Sequence, residues 1–298
     1  MLASLISTGL PIALIIVMTG VGLGLTPNDF RRVAKEPKGF FIGFLGQLIL
    51  LPLIALFVIK LLGLTGGVAI GLFIIALCPG GTVSNLYSML AKADVGLSVS
   101  LTAVVGLITP FTIPLFASWA IIHFNDSAQS FHLPFLQTFL QLIIVGVIPV
   151  LAGMLIRAKW PSFAQRSEPW VNRVSSVVLA LLVVAICIQM GDRLPASFVA
   201  AGPGALLLNV IAISFGYALG RTMLQRESQA RTIALEVGLQ NGTMALMITT
   251  GLLKSAEMSM APIVYSLLMF VSAALFTALV RRKPVDSLKV VEQPIGQE

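Results

Sequence analysis

The sequence contains very little charge. Asp, Glu, Lys and Arg make up 10% of its 298 residues, against about 25% in an average soluble domain. Its two cysteines are too few for a disulfide framework or a cysteine-rich metal site. The net charge of +7 does not indicate nucleic acid as a partner, because no basic run is interleaved with stacking aromatics. An enzyme is not expected, since the apolar segments contain no paired carboxylates, histidine cluster or activated nucleophile.

What the sequence has in abundance is apolar residues, at 57% of the chain and a mean hydropathy of +0.98. About 20 such residues in a row cross the hydrocarbon core of a bilayer as a helix. We therefore predict an all-α integral membrane protein, surrounded by lipid and without an obligatory protein partner. Nine transmembrane helices are predicted, at about residues 5–25, 39–62, 67–90, 95–122, 133–156, 171–190, 203–223, 232–253 and 259–280.

The basic residues fall almost entirely on one side of these nine segments. When the connections are assigned to alternate sides, 16 of the 19 Lys and Arg share one side, and only Lys60, Arg193 and Lys254 lie on the other. Cytoplasmic loops carry the excess of basic residues. We therefore expect a multi-pass membrane protein with its amino terminus outside. As a separate hypothesis, the membrane is a bacterial inner membrane. The carboxyl terminus would be cytoplasmic, with residues 284–298 as a disordered tail.

Two of the nine segments, the third and the eighth, are interrupted by glycine, proline and polar residues. They lie five segments apart, and an odd offset places equivalent segments in opposite orientations across the membrane. We predict an inverted repeat, with residues 1–132 as the first copy, 133–158 as an unpaired fifth span and 159–283 as the second copy. Its broken helices would be 67–90 and 232–253. Paired broken helices of this kind are typical of secondary transporters, although ordinary kinks are the alternative.

The first interruption reads CPGGTVSN, residues 78–85. Pro79 has no backbone N–H, and the two glycines after it tolerate non-helical dihedral angles. Backbone carbonyls are thereby released at membrane depth, which is tolerable only where they line a cavity or meet a ligand. Thr82, Ser84 and Asn85 add side-chain oxygens, and the start of the following half-helix suits an anion.

The second interruption reads EVGLQNGT, residues 236–243, and holds the one carboxylate firmly inside a predicted span. A charge at the bilayer centre costs about 2.5–3.5 kcal/mol on insertion scales. Every lysine lies at a segment end or in a loop, so a bound cation is the favoured partner for Glu236. Sodium or calcium would take oxygen ligands from carbonyls and from Glu, Gln, Asn, Ser and Thr. A protonated Glu236 is the alternative.

Taken together, CPGGTVSN, the segment AKADVGLSVSLTA at residues 91–103 and EVGLQN resemble the bile acid:sodium symporter family. The resemblance implies two broken helices that cross, a panel-and-core arrangement and the nine-span form of the fold. It also implies a sodium-coupled secondary active symporter that works by alternating access. Its substrate would be a small or amphipathic organic anion, bile-acid-like or pantoate-like, imported together with two sodium ions.

The resemblance further implies which residues bind the ions and the substrate. Sodium site one would be Ser84, Asn85, Ser98, Thr102 and Glu236. Sodium site two would be Gln47, Glu236, Gln240 and the backbone carbonyls of Val237 and Leu239. Substrate contacts would be Gly81, Thr82 and Asn241.

Two alternative functions remain open at this stage. An arsenite-type metalloid efflux permease would use the thiol of Cys78 beside the first interruption. A sodium-responsive receptor would bind the same ligands without transporting them. Further polar residues inside predicted spans are candidates for lining a cavity, without a more specific role: Asn209, Tyr265, Ser266 and Ser272.

Overall fold

The computed structural model of the protein describes residues 2–26, 29, 31, 37–125, 133–224 and 226–282. The helices in these residues are numbered here in chain order. They are α1 (Leu2–Gly24), α2 (Pro37–Leu61), α3 (Gly66–Leu77), α4 (Thr82–Leu90), α5 (Val95–Phe124), α6 (Phe135–Lys159), α7 (Pro161–Met190), α8 (Leu194–Leu224), α9 (Glu227–Gly238), α10 (Gly242–Leu252) and α11 (Ala256–Val280).

The all-α class predicted from hydropathy is confirmed, and each predicted apolar segment coincides with one helix or with one broken pair. Five helices in the described residues are long and apolar enough to cross a membrane, namely α2, α5, α6, α8 and α11. The halves α3 and α10 are shorter apolar helices, because their segments are interrupted. The count of nine spans stays a prediction, and the predicted tail at 284–298 lies outside the described residues.

Two helices begin earlier than their apolar segments. Helix α7 begins at Pro161 and α8 at Leu194, although apolar composition starts only near residues 171 and 203. At about 1.5 Å per residue, a helix of this length exceeds the roughly 30 Å hydrocarbon thickness. Hydropathy marks the part of a helix that suits lipid, whereas backbone hydrogen bonds continue the helix into polar sequence. The connection before the sixth segment is therefore mostly helical.

The two predicted interruptions are real breaks in the helices. Helix α3 ends at Leu77 and α4 begins at Thr82, while α9 ends at Gly238 and α10 begins at Gly242. The half-helices before the two breaks each contain 12 residues. The backbone between the halves is extended at Cys78 (φ −71°, ψ 154°) and at Leu239 (φ −110°, ψ 99°). Its carbonyls therefore leave the helical hydrogen-bond pattern.

The described helices pack into two groups. In the smaller group α1 lies against α6 and α7, and α1 and α6 approach so closely that a side chain at Gly22 would overlap the Val150 carbonyl. In the larger group α8 packs along α9 and α11, and α3 packs along α5 and α11. Both breaks lie in the larger group, so the residues that carry the chemistry are surrounded by closely packed helices.

Candidate functional site

The two breaks lie against each other and are joined by backbone hydrogen bonds. Gly80 and Gln240 form an isolated antiparallel bridge. The Gly81 amide donates to the Leu239 carbonyl at 3.1 Å, and the Asn241 amide donates to the Pro79 carbonyl at 2.8 Å. Each break thus satisfies part of the polar backbone that the other releases, as buried backbone groups require. The crossing that the resemblance implies is present.

Glu236 lies at this crossing, with only 1% of its surface exposed. Three hydroxyl groups converge on its carboxylate, and they come from the other half of the sequence. Ser84 donates to Oε1 at 2.5 Å, Thr102 donates to Oε2 at 2.9 Å, and Ser98 also donates to Oε1. Three side chains from α4 and α5 therefore meet at the carboxylate of Glu236 on α9.

This cluster has more acceptor oxygens than hydrogens to share among them. The Ser84 hydroxyl, which faces Glu236, also lies 2.7 Å from the Gly81 carbonyl. The Ser98 hydroxyl, which faces Glu236, also lies 2.8 Å from Asn85 Oδ1. Each hydroxyl carries a single hydrogen, so it cannot donate to both of its neighbours. A set of converging oxygens with surplus lone pairs is the chemistry that binds a hard cation.

The charge on Glu236 has no basic partner among the described residues. The ion pairs in those residues involve other acids, chiefly Glu227 at the opposite end of α9. Within the same residues, no group of three His, Cys, Asp or Glu side chains could hold a transition metal. The combination of one carboxylate with neutral oxygens suits a monovalent hard cation.

A second group of oxygens surrounds Gln47, which lies in a π-helical turn of α2 (Gly46–Leu50) and is 3% exposed. Its Nε2 donates to Gln240 Oε1 at 2.6 Å and lies 3.2 Å from the Cys78 carbonyl. Its own Oε1 is buried and accepts no hydrogen bond. An acceptor left unpaired in a low-dielectric site is costly, and a cation would satisfy it.

The remaining ligands predicted for site two come from the second break. The Val237 carbonyl accepts from Gln240 Nε2 at 2.8 Å, and the Leu239 carbonyl accepts from the Gly81 amide. Each carbonyl oxygen has a second lone pair, so each can still contact an ion. The residues predicted for site two thus come from α2 and from the second break, where the Glu236 backbone carbonyl lies 3.3 Å from Gln240 Nε2.

The three predicted substrate contacts also lie at the crossing. Gly81 is buried in the first break, and Thr82 is the first residue of α4 and partly exposed. Asn241 uses its side-chain oxygen to accept from the Met244 amide at 3.0 Å, which caps α10. Its Nδ2 is buried without an acceptor. A free N–H donor at this position suits an anion.

Some residues of the site carry roles that the sequence reasoning did not assign. A side chain at Gly80 would overlap Glu236 Oε2, so glycine lets the first break pass over the carboxylate without displacing it. Ser88 lies one helical turn after Ser84 on α4, and its hydroxyl donates to the Ser98 hydroxyl at 3.3 Å. The four-residue spacing from Ser84 is the feature of the sequence that indicates this position. Tyr265 and Asn209 do not line an open cavity: both are fully buried and bind the second break.

The thiol of Cys78 does not face the oxygen cluster. It is buried, and its S–H donates to the Ile74 carbonyl within α3 at 3.3 Å. At the crossing, Cys78 contributes its backbone carbonyl, which accepts a hydrogen bond from Gln47 Nε2. This orientation gives no support to thiolate binding of a metalloid.

The sequence model described as the Sodium Bile acid symporter family matches residues 11–197. The chain belongs to the sodium bile acid symporter family. The matched residues include the first break, α4 and α5. These elements carry five of the side chains predicted to bind sodium and substrate, namely Thr82, Ser84, Asn85, Ser98 and Thr102. The second break lies beyond them, in a part of the chain that relatives of the family cover.

Several individual proteins are similar over most of the chain. The probable sodium/metabolite cotransporter BASS1 of Arabidopsis thaliana chloroplasts is 30% identical over 80% of this chain and 58% of its own length. The uncharacterized sodium-dependent transporter YocS of Bacillus subtilis is 28% identical over 82% of this chain and 74% of its own. The human ileal sodium/bile acid cotransporter is 28% identical over 92% of this chain and 79% of its own length. This chain spans 58% and 56% of the lengths of the BASS1 proteins from Arabidopsis and rice.

Proposed function

We propose that the protein is a sodium-coupled symporter that imports an organic anion by alternating access. Two sodium ions bind at the crossing of the breaks, and the substrate binds beside them. The printed names of the relatives, which include sodium/metabolite and sodium/bile acid cotransporters, support this class of function. The proposal for the substrate is a small or amphipathic anion, bile-acid-like or pantoate-like.

One observation carries the proposal: Glu236, at the second break, is buried with three hydroxyl groups from α4 and α5 on its carboxylate and no basic partner in the described residues. An unpaired buried carboxylate is unfavourable. A cation relieves that cost only while both breaks hold their positions around it. Ion binding and the geometry of the substrate position are therefore linked through one set of residues.

The ligand sets follow from this linkage. Site one takes Ser84, Asn85, Ser98, Thr102 and Glu236. Site two takes Gln47, Glu236, Gln240 and the carbonyls of Val237 and Leu239. Gly81, Thr82 and Asn241 provide the contacts to the anion, with the free Asn241 Nδ2 as a donor.

Coupling to two sodium ions makes uptake electrogenic. Two positive charges entering with one monovalent anion move a net +1 inward. At a membrane potential of 100 mV, negative inside, this contributes about 2.3 kcal/mol per cycle. That free energy corresponds to roughly fifty-fold accumulation beyond the effect of the sodium gradient itself.

The topology and the repeat complete the proposal. The amino terminus lies outside a bacterial inner membrane, the carboxyl terminus is cytoplasmic, and residues 1–132 and 159–283 are inverted copies with nine spans in all. The equal length of the half-helices before the two breaks supports the repeat, and so does the antiparallel pairing of the breaks. The distribution of Lys and Arg supports the orientation.

The test is uptake into proteoliposomes of a labelled bile acid and of labelled pantoate. We expect accumulation with an inward sodium gradient, increased by a potential negative inside, and none with potassium in place of sodium. Glu236→Ala and Gln240→Ala should abolish it. Electroneutral uptake would contradict the stoichiometry, and uptake driven by a pH gradient without sodium would assign a proton to Glu236. Sodium-dependent ligand binding without accumulation would indicate a receptor.

A further inference from the structure

The carbonyl of Gly238 receives two hydrogen bonds from side chains that lie outside both predicted sodium sites. Asn209 Nδ2, on α8, donates to it at 2.8 Å, and the Tyr265 hydroxyl, on α11, donates to it at 2.9 Å. Both side chains are fully buried. The last carbonyls of a helix have no partner within the helix, and here two other helices supply the donors for one of them.

The donors are themselves fixed in place. The Ser272 hydroxyl, on α11, donates to Asn209 Oδ1, so the Asn209 amide is held at both of its ends. One helical turn after Asn209, Ile213 occupies the space that a Gly238 side chain would need. Helices α8 and α11 thus contact the peptide that follows Gly238 by hydrogen bonds and by close packing.

The orientation of this peptide affects the neighbouring carbonyl. Leu239 has extended backbone angles (φ −110°, ψ 99°), and successive carbonyls in extended chain point in roughly opposite directions. With the Gly238 carbonyl directed at Asn209 and Tyr265, the Leu239 carbonyl turns to the opposite side. There it accepts from the Gly81 amide of the first break at 3.1 Å.

We propose that Asn209 and Tyr265 are positioning residues for sodium site two. They hold the Gly238 carbonyl away from the site and so fix the Leu239 carbonyl toward it, with Ser272 ordering Asn209. This inference rests on the proposed function, because it requires that the second break binds sodium. Without the two donors, the Gly238 carbonyl is left unsatisfied in the protein interior, and the peptide rotates to find another partner.

The test measures sodium binding without a substrate, as the rise in melting temperature of the purified protein on titration with NaCl, against KCl at equal ionic strength. Tyr265→Phe removes a single oxygen and should raise the half-saturating sodium concentration about tenfold, in the range known for residues behind metal ligands. Ser272→Ala should raise it by less. Tyr87→Phe is the matched control, because the Tyr87 hydroxyl donates to the Phe270 carbonyl of α11 at 3.0 Å and not to a carbonyl of either break. It should leave the half-saturating concentration unchanged.

A double-mutant comparison separates positioning from general loss of stability. The effect of Tyr265→Phe on sodium affinity should largely disappear in a Gln240→Ala background, in which site two is already damaged. It should persist in a Thr102→Val background, in which site one is damaged. An equal effect in both backgrounds would overturn the assignment to site two.

The outcomes also distinguish this inference from the proposed function. If Glu236→Gln retains the wild-type response to sodium, the proposed function fails. If Glu236→Gln loses the response while Tyr265→Phe and Ser272→Ala keep the wild-type half-saturating concentration, only the positioning role fails. Should Tyr265→Phe not purify as folded protein, Ser272→Ala and its double variants decide the matter in the same way.

Discussion

Helix α9 has a buried glutamate near each end, and the two differ in whether a basic side chain pairs with them. Glu227 accepts from the fully buried Arg231 at 2.9 Å, lies 3.3 Å from an Arg221 guanidinium nitrogen, and accepts from the Tyr217 hydroxyl at 2.8 Å. Glu236 is surrounded by neutral hydroxyls and backbone, with no basic side chain paired to it in the described residues. One charge is balanced inside the protein and the other is not.

The contrast shows how an acid that is paired inside the protein differs, in the same helix, from one that is left for a proposed ligand. Arg231 also donates to the Ala91 carbonyl at 2.8 Å, where α4 ends, so the Glu227 end ties α4, α8 and α9 together. That pair needs no ligand. The Glu236 end has surplus acceptors, and under the proposed function a cation from solution completes it. The following predictions test this difference, beginning with the largest effect.

Glu236→Gln should abolish sodium-dependent stabilisation and sodium-dependent uptake. The substitution keeps the size of the side chain and removes the charge that attracts the ions to both sites. Without sodium, the variant should melt at or above the wild-type temperature, because an unpaired buried carboxylate is unfavourable. Melting curves in NaCl and KCl check both expectations. A variant that still responds to sodium would remove the distinction between the two glutamates.

Arg231→Met should have the opposite pattern of effects: it should lower the stability of the protein and leave sodium binding intact. Removing one member of a buried ion pair typically costs about 3–5 kcal/mol, on the order of 10 °C in melting temperature. The half-saturating sodium concentration should stay at the wild-type value. Adding Glu227→Gln should recover part of the loss, because in Arg231→Met the buried Glu227 carboxylate keeps only the half-exposed Arg221 as a basic partner. A loss of sodium binding in Arg231→Met would show that the two ends of α9 are not independent.

Gly80→Ala should weaken sodium binding by displacing the Glu236 carboxylate. The added methyl group would overlap Oε2, and the carboxylate can move only by giving up hydrogen bonds to Thr102 or its neighbours. A hydrogen bond to a charged group contributes about 2 kcal/mol, which corresponds to roughly thirty-fold in affinity. The NaCl titration measures it. Gly106→Ala is the control, because beyond the adjacent residues and backbone of its own helix no atom lies within 4 Å of the added methyl group.

Ser98→Ala should have the smallest of these effects, and it has a matched control on the same helix. Loss of one neutral oxygen ligand should weaken sodium binding by about 1 kcal/mol, or roughly five-fold. Ser100 lies two residues further along α5, and its hydroxyl donates to the Gly96 carbonyl at 2.8 Å. Ser100→Ala should titrate like the wild type. Equal behaviour of the two variants would argue against Ser98 as a ligand.

Much of the fold could be predicted because lipid imposes simple rules on a chain. Apolar runs predicted most ends of the described helices to within a few residues. They did not predict the early starts of α7 and α8, because polar sequence can also be helical. The first break was predictable from covalent structure, since Pro79 lacks an N–H. The second break was indicated by Gly238, Gly242 and a carboxylate that no span would otherwise bury.

The sequence by itself thus determined an all-helical membrane protein, the positions of its two breaks and the oxygen-rich character of both. Local chemistry suffices for these features, because they depend on hydropathy, on proline and glycine, and on residue type. Local chemistry did not connect Ser98 and Thr102 with Glu236: the family resemblance grouped them, and the tertiary structure shows their hydroxyls on this carboxylate, 138 and 134 residues away. It also decided that Asn209 and Tyr265 share one carbonyl and that Arg231 neutralises Glu227 rather than Glu236. These contacts join distant parts of the chain, and their distances depend on how whole helices pack against each other.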